Sequence, residues 1–343
     1  MTTMKAAILH GFRTPLSLED VPMPDPGPGD LLIKVIACGV CHSDLHAVDG
    51  DWAELPTLPL IPGHEIAGVV AGIGAGVTGF ALGDMVGVPW LYSACGACEY
   101  CIAGMETICK SAQATGYTKP GGYAEYTVAP AAFVARLPEG TDPYAIAPIL
   151  CAGVTTYRGL KRSGARPGQW VVILGIGGLG HIAVQYARAM GLRVAAVDVS
   201  DEKLALAASL GAEVVVNAAT GDPVAAIQDR IGGGHAAIVT AVATRAFEQG
   251  IGMLRAGGTV VYIGLPGGKS DEIRASISAI TNWELTVRGS NVGTRQDLNE
   301  AVDFAVRGLV KSTVRTVPLE AINSVLDDMR AGKIVGRVVL ALG

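Results

Sequence analysis

Aromatic residues are scarce, at 5% of 343, and charged residues make up only 17%. The charge balance leans negative, with a formal net charge of −5 at pH 7. Without a basic excess there is no electrostatic footprint for nucleic acid or for an anionic membrane surface, and neither is expected as a partner. Long apolar runs are also missing, although half of the residues are hydrophobic. The longest, Val171 to Val184, is broken by four glycines and a histidine. A membrane span needs roughly 18 or more largely uninterrupted apolar residues. Residues 1–16 carry Lys5, His10 and Arg13 at intervals and contain no signal-peptide core. The expected location is therefore cytoplasmic, where thiols stay reduced and clustered cysteines bind metal more often than they form disulfides.

The length suggests two domains with room for a large core that needs no disulfide. The 46 glycines suit tight turns and close backbone approach. Residues 1 to about 150 read as short β segments, such as Leu31–Ala37, Ile66–Val70 and Met85–Val88, separated by Pro/Gly turns. Irregular all-β structure fits this part best. From residue 153 strands alternate with helices: Trp170–Leu174, then Leu179–Met190, Val194–Val197, Glu202–Leu210, and so on to Leu285–Val287. Repeated β-α-β units with fully apolar strands predict a doubly wound parallel sheet. In the tail, Asp297–Leu309 and Leu319–Arg330 read as helices and Arg337–Leu340 as a strand.

Val171-Val172-Ile173-Leu174 runs directly into Gly175-Ile176-Gly177-Gly178-Leu179-Gly180, a G-x-G-x-x-G opening a helix. Gly175 permits the tight turn, Gly177 admits a pyrophosphate to the backbone, and Gly180 lets helix and strand pack closely. The helix N-terminus attracts the phosphates. Such a motif is weak by itself. Here the second strand ends in Asp198, where an acid that binds the ribose hydroxyls belongs. Its carboxylate repels a 2′-phosphate, and Val199 rather than arginine follows, so NAD is expected over NADP. Lys203, five residues on, reads equally as a ribose contact or as a solvated helix lysine.

Cys95-x2-Cys98-x2-Cys101-x7-Cys109 places four soft ligands within fifteen residues, enough to close a tetrahedral zinc site. With every position filled, no place remains for substrate, and the site is structural. An iron–sulfur cluster is the chemical alternative. Cys41, His64 and Cys151 are the remaining candidate soft ligands, with Glu65 beside His64. Two thiolates and one imidazole leave a fourth position open, the pattern of a catalytic zinc, but spacing alone does not join them. Cys38-Gly39-Val40-Cys41-His42 also matches the haem-attachment motif C-x-x-C-H. Haem attachment needs export, for which these residues give no signal, and Cys38 reads as a small buried residue.

Taken together, Cys41-His42-Ser43-Asp44-Leu45-His46, Gly63-His64-Glu65, the four-cysteine segment, Cys151-Ala152-Gly153 and Gly175–Gly180 resemble the zinc-containing medium-chain alcohol dehydrogenases. Among these the resemblance is greatest to the bacterial ethanol/propanol-preferring branch, and it runs from Lys5 to Leu340. The resemblance implies a GroES-like β-rich catalytic domain over residues 1–152, an inserted NAD-binding Rossmann domain over 153–291, and a return to the catalytic domain over 292–343. It implies two Zn2+ per subunit: a catalytic ion on Cys41, His64 and Cys151, and a structural ion on the four-cysteine segment. Glu65 becomes a nearby or transient ligand, and Asp44 the carboxylate that orients His64. The alcohol proton leaves through Ser43, the cofactor ribose and then His46, while His42 and Arg337 face the pyrophosphate. Trp52 and Trp90 line and narrow the substrate pocket, or simply pack. The implied reaction is reversible oxidation of short primary alcohols to aldehydes with NAD. A polyol or formaldehyde dehydrogenase on the same scaffold is the alternative, and the branch is usually tetrameric.

Overall fold

The computed structural model describes residues 2–267 and 272–342. The chain divides into two compact units. One comprises Met1–Val154, Gly293–Val306 and Ser312–Gly343; the other comprises Thr155–Val292 and Arg307–Lys311. The C-terminal return is thus interrupted. Gln185 of the second unit brackets Lys311 with two hydrogen bonds, accepting from its N–H and donating to its carbonyl, both 2.9 Å.

The first unit begins with β1 (Thr3–Ile8), β2 (Ser17–Pro22) and β3 (Asp30–Val40). Next come α1 (His42–Asp49), β4 (Glu65–Ile73), β5 (Met85–Val88) and β6 (Leu91–Ser93). After α2 (Glu99–Ile102), β7 (Gln113–Ala114), β8 (Tyr126–Pro130) and β9 (Ala135–Arg136) follow. Two short turns of helix, α3 (Pro143–Ile146) and a 3₁₀ turn at Ala147–Leu150, lead to Cys151 and α4 (Ala152–Ser163). The expectation of purely β structure here is corrected: α1 is a helix, and it carries Ser43, Asp44 and His46. Asp44, in its first turn, accepts the Cys41 N–H at 2.8 Å, which satisfies one donor that the helix start would otherwise leave unpaired.

The second unit is a six-stranded parallel sheet. Its strands are β10 (Trp170–Leu174), β11 (Arg193–Asp198), β12 (Val214–Asn217), β13 (Gly234–Val239), β14 (Leu254–Tyr262) and β15 (Thr286–Gly289). They are ordered β12-β11-β10-β13-β14-β15. Helices α5 (Gly180–Ala189), α6 (Asp201–Ser209), α7 (Pro223–Ile231), α8 (Thr244–Gly252) and α9 (Ile277–Asn282) connect them. The order reverses at β10, the switch point where open α/β sheets bind ligand. Val172, Leu174, Ala195, Val197, Ala237, Val239 and Val260 pack into one buried cluster, as apolar strands covered on both faces require.

After α10 (Arg295–Val306), the chain adds β16 (Val314–Pro318), α11 (Ile322–Arg330) and β17 (Arg337–Ala341) to the first unit. Its large sheet runs β16-β17-β3-β4-β5-β9, with β8 also paired to β3. Central β3 pairs Gly39 with Glu65 of β4, and Val40 with Val338 of β17. The end of β3 and the starts of β4 and β17 therefore converge at one edge of the barrel-like sheet.

Candidate active site and metal centres

That convergence builds the site. Cys41 follows β3, His64 precedes β4, Glu65 opens β4, and Arg337 opens β17. Gly39 is required beside them, because a Cβ there would lie 1.9 Å from the Glu65 carboxylate. Cys151 arrives from the 3₁₀ turn. Ligand atoms of Cys41, His64, Glu65 and Cys151 lie within 4.8 Å of one another, and all four residues are buried. Spacing could not have joined residues 110 positions apart; the fold does.

Asp44 organises the cluster and is itself 1% exposed. One carboxylate oxygen accepts from His64 Nδ1 at 2.9 Å and from the Gly63 N–H at 3.1 Å. The other accepts from the Cys41 N–H and from the Tyr123 hydroxyl at 2.9 Å. A proton on Nδ1 leaves the His64 Nε2 lone pair for the metal. That Nε2 is buried and has no hydrogen-bond partner among the described residues. A buried nitrogen acceptor without a donor, set among two thiols and a carboxyl, fits a zinc ion and little else. The electrostatics show that the cluster calls for positive charge at this nitrogen, which a proton or a metal cation can supply. Burial favours neutral His64, but the Asp44 charge and the Cys41 sulfur outweigh it and raise its pKa well above the usual value. Cys41 is held well below the usual thiol range, chiefly by the Cys151 thiol that donates to it.

Glu65 is fully buried, and burial pushes its pKa up to about 7 even though Arg337 opposes the shift. One of its oxygens accepts from the Arg337 guanidinium, and the other has no partner among the described residues. Arg337, expected as a pyrophosphate contact, has a side chain 4% exposed that donates through one terminal nitrogen to Glu65, because β17 enters the sheet beside β3; its Nε has no partner among the described residues. His42 opens α1 and is exposed.

Ser43 and His46 follow on the same helix. The Ser43 hydroxyl lies 3.9 Å from the Cys41 sulfur. His46 is mostly buried, bonds Asp51 through Nδ1 at 2.8 Å, and has an Nε2 without a partner among the described residues. Asp51 escaped the sequence reading, as did Tyr117. His46 stacks on Trp52 at 4.9 Å, and Trp90 meets the His64 ring edge-on at 4.8 Å. Tyr117 closes the wall, 5.5 Å from Trp52 and 5.7 Å from Trp90, and its hydroxyl donates to the Glu54 carbonyl. Three aromatic rings thus gather beside His64 in a chain poor in aromatics.

The four-cysteine segment also closes. The sulfurs of Cys95, Cys98, Cys101 and Cys109 lie within 4.8 Å of one another. Backbone hydrogen bonds from Ala97 and then from Cys98, whose N–H donates to the Cys95 sulfur at 3.3 Å, bring the Cys95 thiol down to about 6. Cys38 belongs to neither cluster. It is fully buried in the apolar core of the first unit.

In the second unit Gly175 takes φ +91°, open to glycine and strained for other residues, and a Cβ on Gly180 would lie 1.8 Å from the Gly175 carbonyl. A Cβ on Gly177 would meet nothing within 4 Å, which leaves an open approach to the backbone. Gly178 and Leu179 complete the turn before α5, for which Leu179 is the N-cap. Asp198 ends β11, with one oxygen accepting from the Val199 and Ser200 N–H groups and the other from Ile176 at 2.6 Å. The acid is thereby tied to the glycine turn, and its second oxygen retains a lone pair for a ligand hydroxyl. Lys203 is half-buried on α6.

Comparison with known proteins agrees with this architecture. The alcohol dehydrogenase GroES-like domain family matches residues 27–139, and the zinc-binding dehydrogenase family matches residues 178–307. An alcohol dehydrogenase of Geobacillus stearothermophilus is 54% identical over 339 residues, covering 99% of each chain. The solved alcohol dehydrogenase of Aeropyrum pernix superposes with a TM-score of 0.90 at 36% identity, over 98% of this chain and 99% of that one. A solved NAD-dependent alcohol dehydrogenase gives 0.91 at 29% identity, over 99% of this chain and 100% of that one. The chain belongs to the zinc-containing medium-chain alcohol dehydrogenase family. It is a zinc-dependent, NAD-linked alcohol dehydrogenase.

Proposed function

We propose that this enzyme interconverts short primary alcohols and aldehydes, with Cys41, His64 and Cys151 holding the catalytic zinc and Cys95, Cys98, Cys101 and Cys109 a structural one. The observation that carries the reading is the unpartnered, fully buried His64 Nε2 within 4.8 Å of two thiols and a carboxyl. Zinc supplies Lewis acidity that eases loss of the alcohol proton, and NAD accepts the hydride. Asp44 fixes the His64 tautomer. Ser43, whose hydroxyl both donates and accepts, takes the proton, and His46, braced by Asp51, delivers it to solvent. Glu65 stands ready as an alternative ligand. Asp198 holds the adenosine ribose and disfavours a 2′-phosphate, with Lys203 beside it; Gly175, Gly177, Gly178, Leu179 and Gly180 receive the pyrophosphate, with His42 and Arg337 as its proposed side-chain contacts. Trp52, Trp90 and Tyr117 narrow the pocket, which favours ethanol and 1-propanol over branched or secondary alcohols.

Steady-state kinetics over a panel of primary, secondary and aromatic alcohols, with NAD and NADP, test this. A secondary or bulky alcohol preferred over 1-propanol, or NADP over NAD, refutes the corresponding part. No helix among the described residues is long and apolar enough to cross a membrane. By resemblance we read the enzyme as a cytoplasmic homo-oligomer, a tetramer. Strand β15 supports association: it is a sheet edge, exposed throughout, with Val287 and nearby Trp283 open to solvent. Sedimentation equilibrium measures the subunit number.

A further inference from the structure

A second concave site lies in the nucleotide-binding unit, at the opposite end of its sheet. The glycine turn follows the carboxyl end of β10, whereas a cavity of about 420 Å³ lies where β10, β13 and β14 begin. Arg166, Arg255, Arg288 and His235 line it, and no carboxylate does. This is unusual in a chain with a net charge of −5. Elsewhere Arg193, Arg295 and Arg330 pair with Glu213, Glu106 and Asp49. Arg166, Arg255 and Arg288 form no ion pair among the described residues.

Two of the three guanidiniums are held in place. Arg255 donates through Nε to the Gly233 carbonyl at 3.2 Å and through a terminal nitrogen to that of Ile231 at 3.1 Å. Arg288 donates to the Arg162 carbonyl at 2.8 Å, at the end of α4. Arg288 keeps N–H groups in reserve, Arg255 keeps one on Nη1, and the exposed Arg166 side chain makes no hydrogen bond among the described residues. His235 adds a hydrogen-bond mismatch. The Trp170 N–H points at its Nδ1, at 3.1 Å, and the Arg255 Nη1 lies 2.9 Å from its Nε2. A neutral imidazole accepts at only one nitrogen, so one of these two contacts sets donor against donor. The mismatch is relieved if an anion draws the Arg255 Nη1 away and accepts from the Nε2–H in its place.

We propose that this cavity binds a small polyanion of the phosphate class, matched in charge to three guanidiniums and independent of the dinucleotide site. The fork geometry of arginine suits phosphate oxygens, and the walls provide no competing acid. The cavity volume falls in the range of small-molecule sites.

The test uses zinc-loaded enzyme saturated with NAD, so that the dinucleotide site is closed to the probe, and inorganic pyrophosphate titrated calorimetrically at constant ionic strength. The expected result is saturable binding of one pyrophosphate per subunit. It should weaken by at least about tenfold in Arg166→Gln and further in Arg166→Gln/Arg288→Gln, with zinc content and alcohol turnover unchanged. ADP as a second probe identifies the source: binding as tight as pyrophosphate points to a nucleotide's phosphates, and weaker binding to a free anion. No saturation up to about 10 mM, or equal affinity in wild type and Arg166→Gln, overturns the proposal. The Arg166 side chain has no hydrogen bond or ion pair among the described residues, so that variant tests the site without disturbing a helix end.

Discussion

Replacing Asp44 with asparagine preserves shape and removes only charge and symmetry, and its effect can be worked out from the four hydrogen bonds at Asp44. If the amide oxygen faces His64 Nδ1 and the Gly63 N–H, the amide nitrogen faces the Tyr123 hydroxyl and the Cys41 N–H. The tyrosine hydroxyl can turn and accept. The Cys41 N–H cannot, and it is left buried against a donor. If the amide flips, its nitrogen faces His64 Nδ1, which must then accept, so the proton moves to Nε2, the atom needed for the metal. Neither orientation serves the site. Taking about 1 kcal/mol of lost charge assistance for each of the four bonds and about 1–3 kcal/mol for the stranded donor, and allowing for coupling within one network, the loss is about 3–5 kcal/mol. Part of it emerges as weaker zinc binding, since removing the carboxylate partner of a ligating histidine costs about 10- to 100-fold in affinity. The assay is zinc release into a chromophoric chelator, followed as two phases. Asp44→Asn should speed one phase by about that factor and leave the phase belonging to the four-cysteine site unchanged. A release trace that superimposes on wild type would refute the reasoning.

The same geometry sets the outcome of four other perturbations. Ser43→Ala should lower kcat by about 10²-fold or more with a smaller change in KM, and full activity would remove Ser43 from the proton path. His46→Gln should make the rate depend more steeply on pH, because solvent base alone then takes the proton; rate profiles over pH 6 to 10 measure it. Trp90→Ala should raise kcat/KM for branched and secondary alcohols relative to ethanol, and an unchanged ratio would make the indole mere packing. Cys98→Ser should release one zinc per subunit on purification, whereas Cys38→Ala should keep both at a stability cost of about 1 kcal/mol, as elemental analysis and thermal denaturation will show.

The parallel sheet was legible in the sequence because its central strands carry buried apolar runs, Val171–Leu174, Val194–Val197 and Ala236–Val239. Trp170–Leu174 and Met85–Val88 have the bounds read from composition alone. Segments stabilised by other means were missed. Helix α1 is short, and its inward face includes Asp44 and His46, so no apolar stripe marks it. What starts it is the Asp44 carboxylate reaching back to the Cys41 N–H, a polar contact that hydrophobic periodicity does not detect. Strand β16 alternates valine with Arg315 and Thr316 at an exposed sheet edge and ends on Pro318, so it too has no apolar run to announce it. Helix α10 ends at Val306 rather than continuing to Leu309, because Gly308 takes φ +75°.

The two metal clusters differ in legibility for a related reason. Cys95, Cys98, Cys101 and Cys109 lie in one loop whose own turns bring the sulfurs together, so spacing identifies them. Cys41, His64, Glu65 and Cys151 meet only through the register of three neighbouring strands and a 3₁₀ turn, and register is a property of the folded sheet. The same register explains the placement of Arg337. Val338 must pair with Val40 for β17 to join the sheet, and this sets Arg337 beside Cys41 and Glu65, away from solvent. Once there, a guanidinium 4% exposed requires a carboxylate, and Glu65 is the acid within reach. Glu65 is thus held on one side by an ion pair and left free on the other, facing the ligands. Its role at the metal therefore depends on a strand that enters the sheet 272 residues later in the chain.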